Sequence, residues 1–174
     1  QTSNALQVTG TTGTAPAINA FANFDMPVIS INTGSNSLPD ECSVVGKNYP
    51  STNIDGMKKK ISVDVRIYNP DGTLQYDRKG RINYRGSSSL NFKKKSYAFV
   101  TGKEKTKNSD GDVDTGKANL FGLSDGAKDK DWVLYAATPD PSMMRNRLVF
   151  DLYKEMTGKW GVNSMYVELI INNV

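Results

Sequence analysis

The sequence predicts an α+β domain: a mostly antiparallel sheet of about five strands with one main helix packed on it. Three observations carry that expectation. Segments with apolar residues at every second position recur between clusters of turn-forming residues. One later segment, Met143 to Met156, spaces its apolar residues as a helix does. No apolar run approaches the roughly 18 residues that a membrane helix needs.

The strands follow in order. Met26 to Asn32 alternates, with Pro27 near its first position. Thr33 to Gly56 is rich in loop residues, and either wraps the surface or carries short strands. Lys60 to Asn69 sets Ile61, Val63, Val65 and Ile67 against Ser62, Asp64 and Arg66. Asn69-Pro-Asp-Gly72 is a turn, because Pro70 fixes φ and Gly72 tolerates a positive one. A short segment at Leu74 to Tyr76 and a strand at Gly80 to Tyr84 come next. Lys95 to Thr101 then places Tyr97, Phe99 and Thr101 on one side.

Gly102 to Gly116 reads as a polar insertion between two elements. Its alternating Asp110, Asp112 and Asp114 are weak calcium-loop candidates, since the glycine is displaced and no Glu stands where a bidentate ligand belongs. Asp131 to Ala136 is apolar and is expected to be buried. Thr138 to Ser142 is a helix entrance with Asp140 or Ser142 as its cap. The helix follows, with Met144, Leu148, Val149, Leu152 and Met156 in phase and Gly158 ending it. Met165 to Asn172 is a last strand.

The chain has 174 residues, 37% hydrophobic and 23% charged, which is the make-up of one globular domain. Residues 1–24 are rich in Thr, Ser, Gly and Ala and read as a flexible tether, leaving 25–174 as the domain. There is no histidine, so no Ser-His-Asp triad can form. The lone Cys42 permits neither an internal disulfide nor, without histidine, a zinc site. Chemistry must come from carboxylates, lysines, hydroxyls or an oxygen-bound metal. The net charge of +4 is concentrated in Lys58–Lys60 and Lys93–Lys95, runs that meet phosphate or keep a strand edge soluble.

The most informative stretch is Arg85-Gly-Ser-Ser-Ser89, after a strand, followed by Lys93-Lys-Lys95. A small-residue turn lets backbone and hydroxyl groups approach an anion, and a lysine on the returning strand supplies charge. Five further blocks accompany the turn in order: Phe92-Lys-Lys-Lys-Ser-Tyr97, Leu120-Phe-Gly-Leu123, Lys130-Asp-Trp-Val-Leu134, Asp140 with Met144-Arg-Asn-Arg-Leu148, and Tyr166-Val-Glu-Leu169 with Asn172. Together they resemble the CotH (spore coat protein H) kinase-like family, from about Pro27 to Asn172. Lys93 stands where that family usually has proline.

The resemblance implies the N-terminal lobe of an exported atypical protein kinase. Arg85, Gly86, Ser87, Ser88 and Ser89 would form the phosphate-facing turn, and Lys94 or Lys95 would supply the ammonium group. Strand alternation would put these two on opposite faces, and Lys94 is preferred because it lies on the side of Ser96. Asp131, Trp132, Asp140, Arg145 and Asn146 would play supporting parts, with Trp132 read as a core aromatic. ATP and Mg would be the cofactors of the complete domain, and its catalytic Asp residues are expected beyond Val174, so this stretch alone is expected to be inactive. Expected partners are a protein substrate, the missing C-terminal lobe, and a second copy through the exposed inter-lobe face. Nucleic acid and a transmembrane segment are not expected. Location is expected at the cell surface or periplasm, with a lipoprotein anchor as one route. The alternative is a surface binding or structural module without transfer activity, carbohydrate-binding among the options.

Overall fold

The computed structural model describes residues 25–36, 38, 59–92, 94–107, 112–122 and 128–172. The 1–24 stretch, Cys42, Lys58, Lys93, Asp110 and most of the 33–56 loop lie outside the described residues.

Strands β1 (Val28–Asn32), β2 (Ile61–Tyr68), β3 (Leu74–Arg85), β4 (Ser96–Thr101), β5 (Asp131–Leu134) and β6 (Glu168–Ile171) form one sheet. Their order is β5-β4-β3-β2-β1-β6. All neighbours pair antiparallel except β1 and β6, which run parallel, so the sheet is mixed and has six strands rather than about five. The additional strand is β5. Its residues alternate between exposed and half-buried instead of being buried throughout, and Val133 is 49% exposed. An edge strand keeps one face in water, which the apolar sequence does not reveal.

The two segments read separately at Leu74 and Gly80 are one strand of 12 residues. Gly80 does not break it. A Cβ there would meet Phe99 Cε2 at 2.8 Å and the Val100 carbonyl oxygen at 2.9 Å, so the glycine is a point of close approach. The Asn69–Gly72 turn forms as expected, with Gly72 N donating to Asn69 O at 2.9 Å.

Cross-strand register sorts the side chains onto two faces. One face carries Ile29, Ile31, Val63, Val65, Ile67, Tyr76, Ile82 and Phe99, all buried in one cluster. The layer over that face is the segment after the insertion: Leu120 is buried in the cluster, and Ala118 and Phe121 pack against it. The opposite face of β2 and β3 carries charge. Lys79 pairs with Asp64 at 2.5 Å, and Asp77 takes Arg66 at 3.3 Å and Lys105 at 2.6 Å. Partial burial works to raise the Asp77 carboxyl, but the hydrogen bond and charge of Lys105, with Arg66, outweigh it and hold it below the usual range.

The insertion is pinned at both ends. The Tyr76 hydroxyl donates to Gly102 O at 3.1 Å and accepts from Gly102 N at 3.0 Å. Arg81 Nη2 reaches both Asp112 Oδ2 and Val113 O at 2.6 Å, and Val113 is buried.

Helix α1 (Arg145–Thr157) begins two residues after Met143 and stops at Gly158, whose N–H donates to Lys154 O at 2.9 Å. It does not pack on the sheet as expected: none of its residues is buried. Periodicity aligned the apolar residues correctly but gave no information on which side the protein lies. Trp160, which follows the helix, is 78% exposed.

Replacing Phe99 with Ala is expected to cost about 3–5 kcal/mol, because its ring fills the core opposite Gly80. Leu74→Ala, at an exposed position, should stay within about 0.5 kcal/mol. Urea denaturation of the two variants checks both values.

Candidate functional site

Register gathers one end of the sheet. Arg85 faces Ser96, Tyr84 faces Tyr97, Tyr97 faces Leu134, and Ile82 faces Ile61. The end of β3, the start of β4, the end of β5 and the start of β2 therefore meet. Lys59 and Lys60 immediately precede Ile61, the residue of β2 that faces Ile82 near the end of β3.

Between β3 and β4 the chain makes a 3-10 turn at Ser88–Asn91. Gly86 enters it at φ 118°, a backbone shape that side chains disfavour, and a Cβ there would collide with Ser89 Oγ. Leu90 N donates to Ser87 O at 3.0 Å, and Phe92 N donates to Ser89 O at 3.3 Å. Tyr84 and Tyr97 stack with centroids 5.4 Å apart, bracing the strand ends beneath the turn.

The two lysines have different tasks. Lys95 Nζ donates to Leu90 O at 2.5 Å and to Phe92 O at 2.6 Å, so its ammonium group closes the turn. Lys94 is exposed. Neither belongs to the strand, which starts at Ser96 instead of Lys95, so strand alternation does not separate them. Arg85, Lys59 and Lys60 are also exposed, and among the described residues no ion pair occupies any of these four cations. Nearby, the Asn83 side chain is buried and its Nδ2 donates to Tyr84 O at 2.8 Å, while its Oδ1 has no donor among the described residues.

The other sequence-selected residues divide. Asp131 and Trp132 sit further along β5, opposite Val100 and Phe99, and are not brought to the turn. Trp132 packs against the core cluster, and its Nε1 donates to Asp129 O at 3.1 Å. Asp140 does arrive near this end, because Ala136 N donates to Ser96 Oγ at 3.0 Å just before the helix entrance. The N-cap position is Met144, not Asp140 or Ser142, and it makes no side-chain capping bond. Asp140 instead reaches the helix start from four residues upstream of Met144: Oδ1 accepts from Ser142 N at 3.0 Å and Ser142 Oγ at 2.7 Å, and Oδ2 accepts from Arg145 N at 2.9 Å. Those bonds, from the Ser142 hydroxyl first and the Arg145 N–H second, hold its carboxyl below the ordinary value. Arg145 Nε lies 3.5 Å from Asp140 Oδ1, and Asn146 stands exposed on the first helical turn.

Asp112 is engaged by Arg81, Asp114 is exposed, and Asp110 lies outside the described residues. Among the described residues no three acidic, Cys or His side chains gather to hold a metal. The part played by Asn172 was missed in the sequence, although its block was noted. It has φ 53°, and its Oδ1 accepts from Thr33 N at 2.9 Å, joining β6 to the end of β1. An Asn ending an apolar strand was the available signal.

The family model described as CotH kinase protein matches residues 82–174, just over half the chain. The chain belongs to the CotH kinase family. The match begins within β3 and includes the turn, both lysines and helix α1. No curated protein and no solved structure matches. No helix among the described residues is long and apolar enough to cross a membrane.

The Asp140 carboxylate at the helix start makes a pH prediction. Its folded-state carboxyl titrates below the ordinary 3.8, so its stabilisation is complete above that value and is lost as pH falls through the lower folded value. Helicity followed by far-UV circular dichroism from pH 5 to pH 2 should fall less in Asp140→Asn, whose carboxamide oxygen still accepts but does not titrate.

Proposed function

We propose that this chain provides the nucleotide-phosphate-holding lobe of an exported CotH-type protein kinase. The observation that carries this reading is that Lys59 and Lys60 ahead of β2, Arg85 at the end of β3 and Lys94 ahead of β4 are all exposed at the end of the sheet that bears the Gly86 turn, with no ion pair to any of them among the described residues. Like charges gathered without counter-ions repel, and a polyphosphate relieves that cost. Arg85 can present a planar fork to phosphate oxygens, and Lys94 a point charge.

On this reading Lys95 is a positioning residue. Its ammonium group fixes the turn carbonyls and thereby the turn's shape. Bound ATP would bring the phosphoryl group to be transferred. On this reading the carboxylates that would hold Mg and activate a substrate hydroxyl come from other polypeptide, as the family resemblance implies. On this reading the lobe binds and orients the nucleotide. Placement outside the cell is supported by the Thr/Ser/Gly/Ala-rich composition of residues 1–24.

Binding of Mg-ATP measured by calorimetry tests the reading. Lys94→Ala and Arg85→Ala should each weaken binding about tenfold, the loss of one charge-assisted contact of about 1.4 kcal/mol, without changing the melting temperature. Lys95→Met should weaken binding and also lower the melting temperature, because it leaves two carbonyls without their donor. A wild-type chain that binds no nucleotide sinks the reading.

A further inference from the structure

Two polar atoms of opposite kind lie unused on one face of β3. Alternation sets Arg81, Asn83 and Arg85 on the side of the strand away from Ile82 and the core cluster. Register puts them opposite Val100, Ala98 and Ser96 of β4. The Arg81 guanidinium is committed through Nη2, which donates to Asp112 Oδ2 and Val113 O. The Asn83 carboxamide is committed through Nδ2, which donates to Tyr84 O. Arg81 Nε and Asn83 Oδ1 remain, both buried and both without a partner among the described residues. Asn83 as a whole is only 6% exposed. Unmet buried polar groups cost free energy, so two of them at successive positions of one face point to a ligand.

The chemistry of the pair narrows the ligand. Nε–H only donates and Oδ1 only accepts. A phosphate oxygen accepts from Arg81 but offers Asn83 no donor. An ammonium group donates to Asn83 but is repelled by Arg81. A hydroxyl group serves both, giving its hydrogen to Oδ1 and accepting the Nε–H on its oxygen. Position narrows it further. Strand residues two apart are separated by about 7 Å, so Asn83 is one such step from Arg85, which enters the Gly86 turn. The Arg81 side chain is 29% exposed, so the pair borders the surface and not the core. Across from Asn83 stand Ala98 and then Val133, which is 49% exposed, and neither competes for a hydroxyl.

We propose that Arg81 Nε and Asn83 Oδ1 bind a ribose hydroxyl of the nucleotide whose phosphates meet the Gly86 turn, which makes Asn83 a specificity-determining residue for ribonucleoside triphosphates. The inference rests on the phosphate site proposed above and deepens it. The amino group and a ring nitrogen of a base could also meet a donor and an acceptor, but they lie further from the phosphates than the sugar does.

Calorimetry of the 174-residue chain with Mg-ATP, its 2′-deoxy and 3′-deoxy analogues and Mg-tripolyphosphate is the test. In the wild type one of the two analogues should bind about tenfold more weakly than ATP, through loss of one hydroxyl. Asn83→Ala should weaken ATP by a similar factor, leave tripolyphosphate unchanged, and bind ATP and that analogue alike. Equal binding of ATP and both analogues by the wild type overturns the proposal while the phosphate site stands, and this arm needs no variant to fold. An Asn83→Ala chain that loses tripolyphosphate as much as ATP also overturns it, because the residue then only shapes the turn. So does a wild type that favours ATP over inosine triphosphate when Asn83→Ala does not, since the pair then reads the base. A wild type that binds neither tripolyphosphate nor ATP removes the phosphate site and this proposal together.

Discussion

The double pairing of β3, with β2 over Leu74–Ile82 and with β4 over Gly80–Arg85, underlies the cationic end of the sheet. β3 runs from Leu74 to Arg85 between β2 and β4, and it alone links the two halves of the sheet. Its continuity depends on Gly80, where Phe99 of β4 presses against the backbone. Any side chain there would push β4 away, and with it the turn that β3 and β4 share. Core packing and the position of Arg85 are thus consequences of one close contact.

The two faces of β3 divide the work. Tyr76, Ile82 and Phe99, which faces Ile82, bury apolar surface, which supplies the stability. The charged ladder of Asp64, Arg66, Asp77 and Lys79 is partly exposed and contributes little energy. It fixes register, because a slip of one residue would exchange the charged face for the apolar one. That register carries Arg85 to Ser96 and sets Ile61, which follows Lys59 and Lys60, opposite Ile82. The cations at the sheet end are accordingly placed by hydrophobic alternation some residues away.

Much of this was legible in the sequence. β2 and the Asn69–Gly72 turn stood out because period-two alternation and turn chemistry agree there. The helix was legible from its apolar spacing, although its N-cap position is Met144 rather than Asp140 or Ser142. The continuity of β3 was not, because a glycine and a run of charged residues look like a break until their cross-strand partners are known. Burial of β5 was overestimated, since Val133 and Tyr135 read as core but lie along an edge. The sequence placed Lys94 and Lys95 on opposite faces of a strand; the structure shows instead that Lys95 turns back onto the carbonyls of Leu90 and Phe92. Tertiary hydrogen bonds of that kind leave no periodic trace. The outward turn of α1's apolar stripe was hidden for a related reason, because spacing defines a face without saying what it faces.

The central claim is that the Gly86 turn and its surrounding cations form a phosphate site in this CotH-family chain. Backbone amide chemical-shift mapping with added Mg-ATP tests it most directly, since it reads location as well as binding. The account predicts saturable shifts concentrated at Arg85 to Ser89, Lys94 and Lys59 to Lys60. Shifts that are absent, or confined to helix α1 and the insertion, would contradict it.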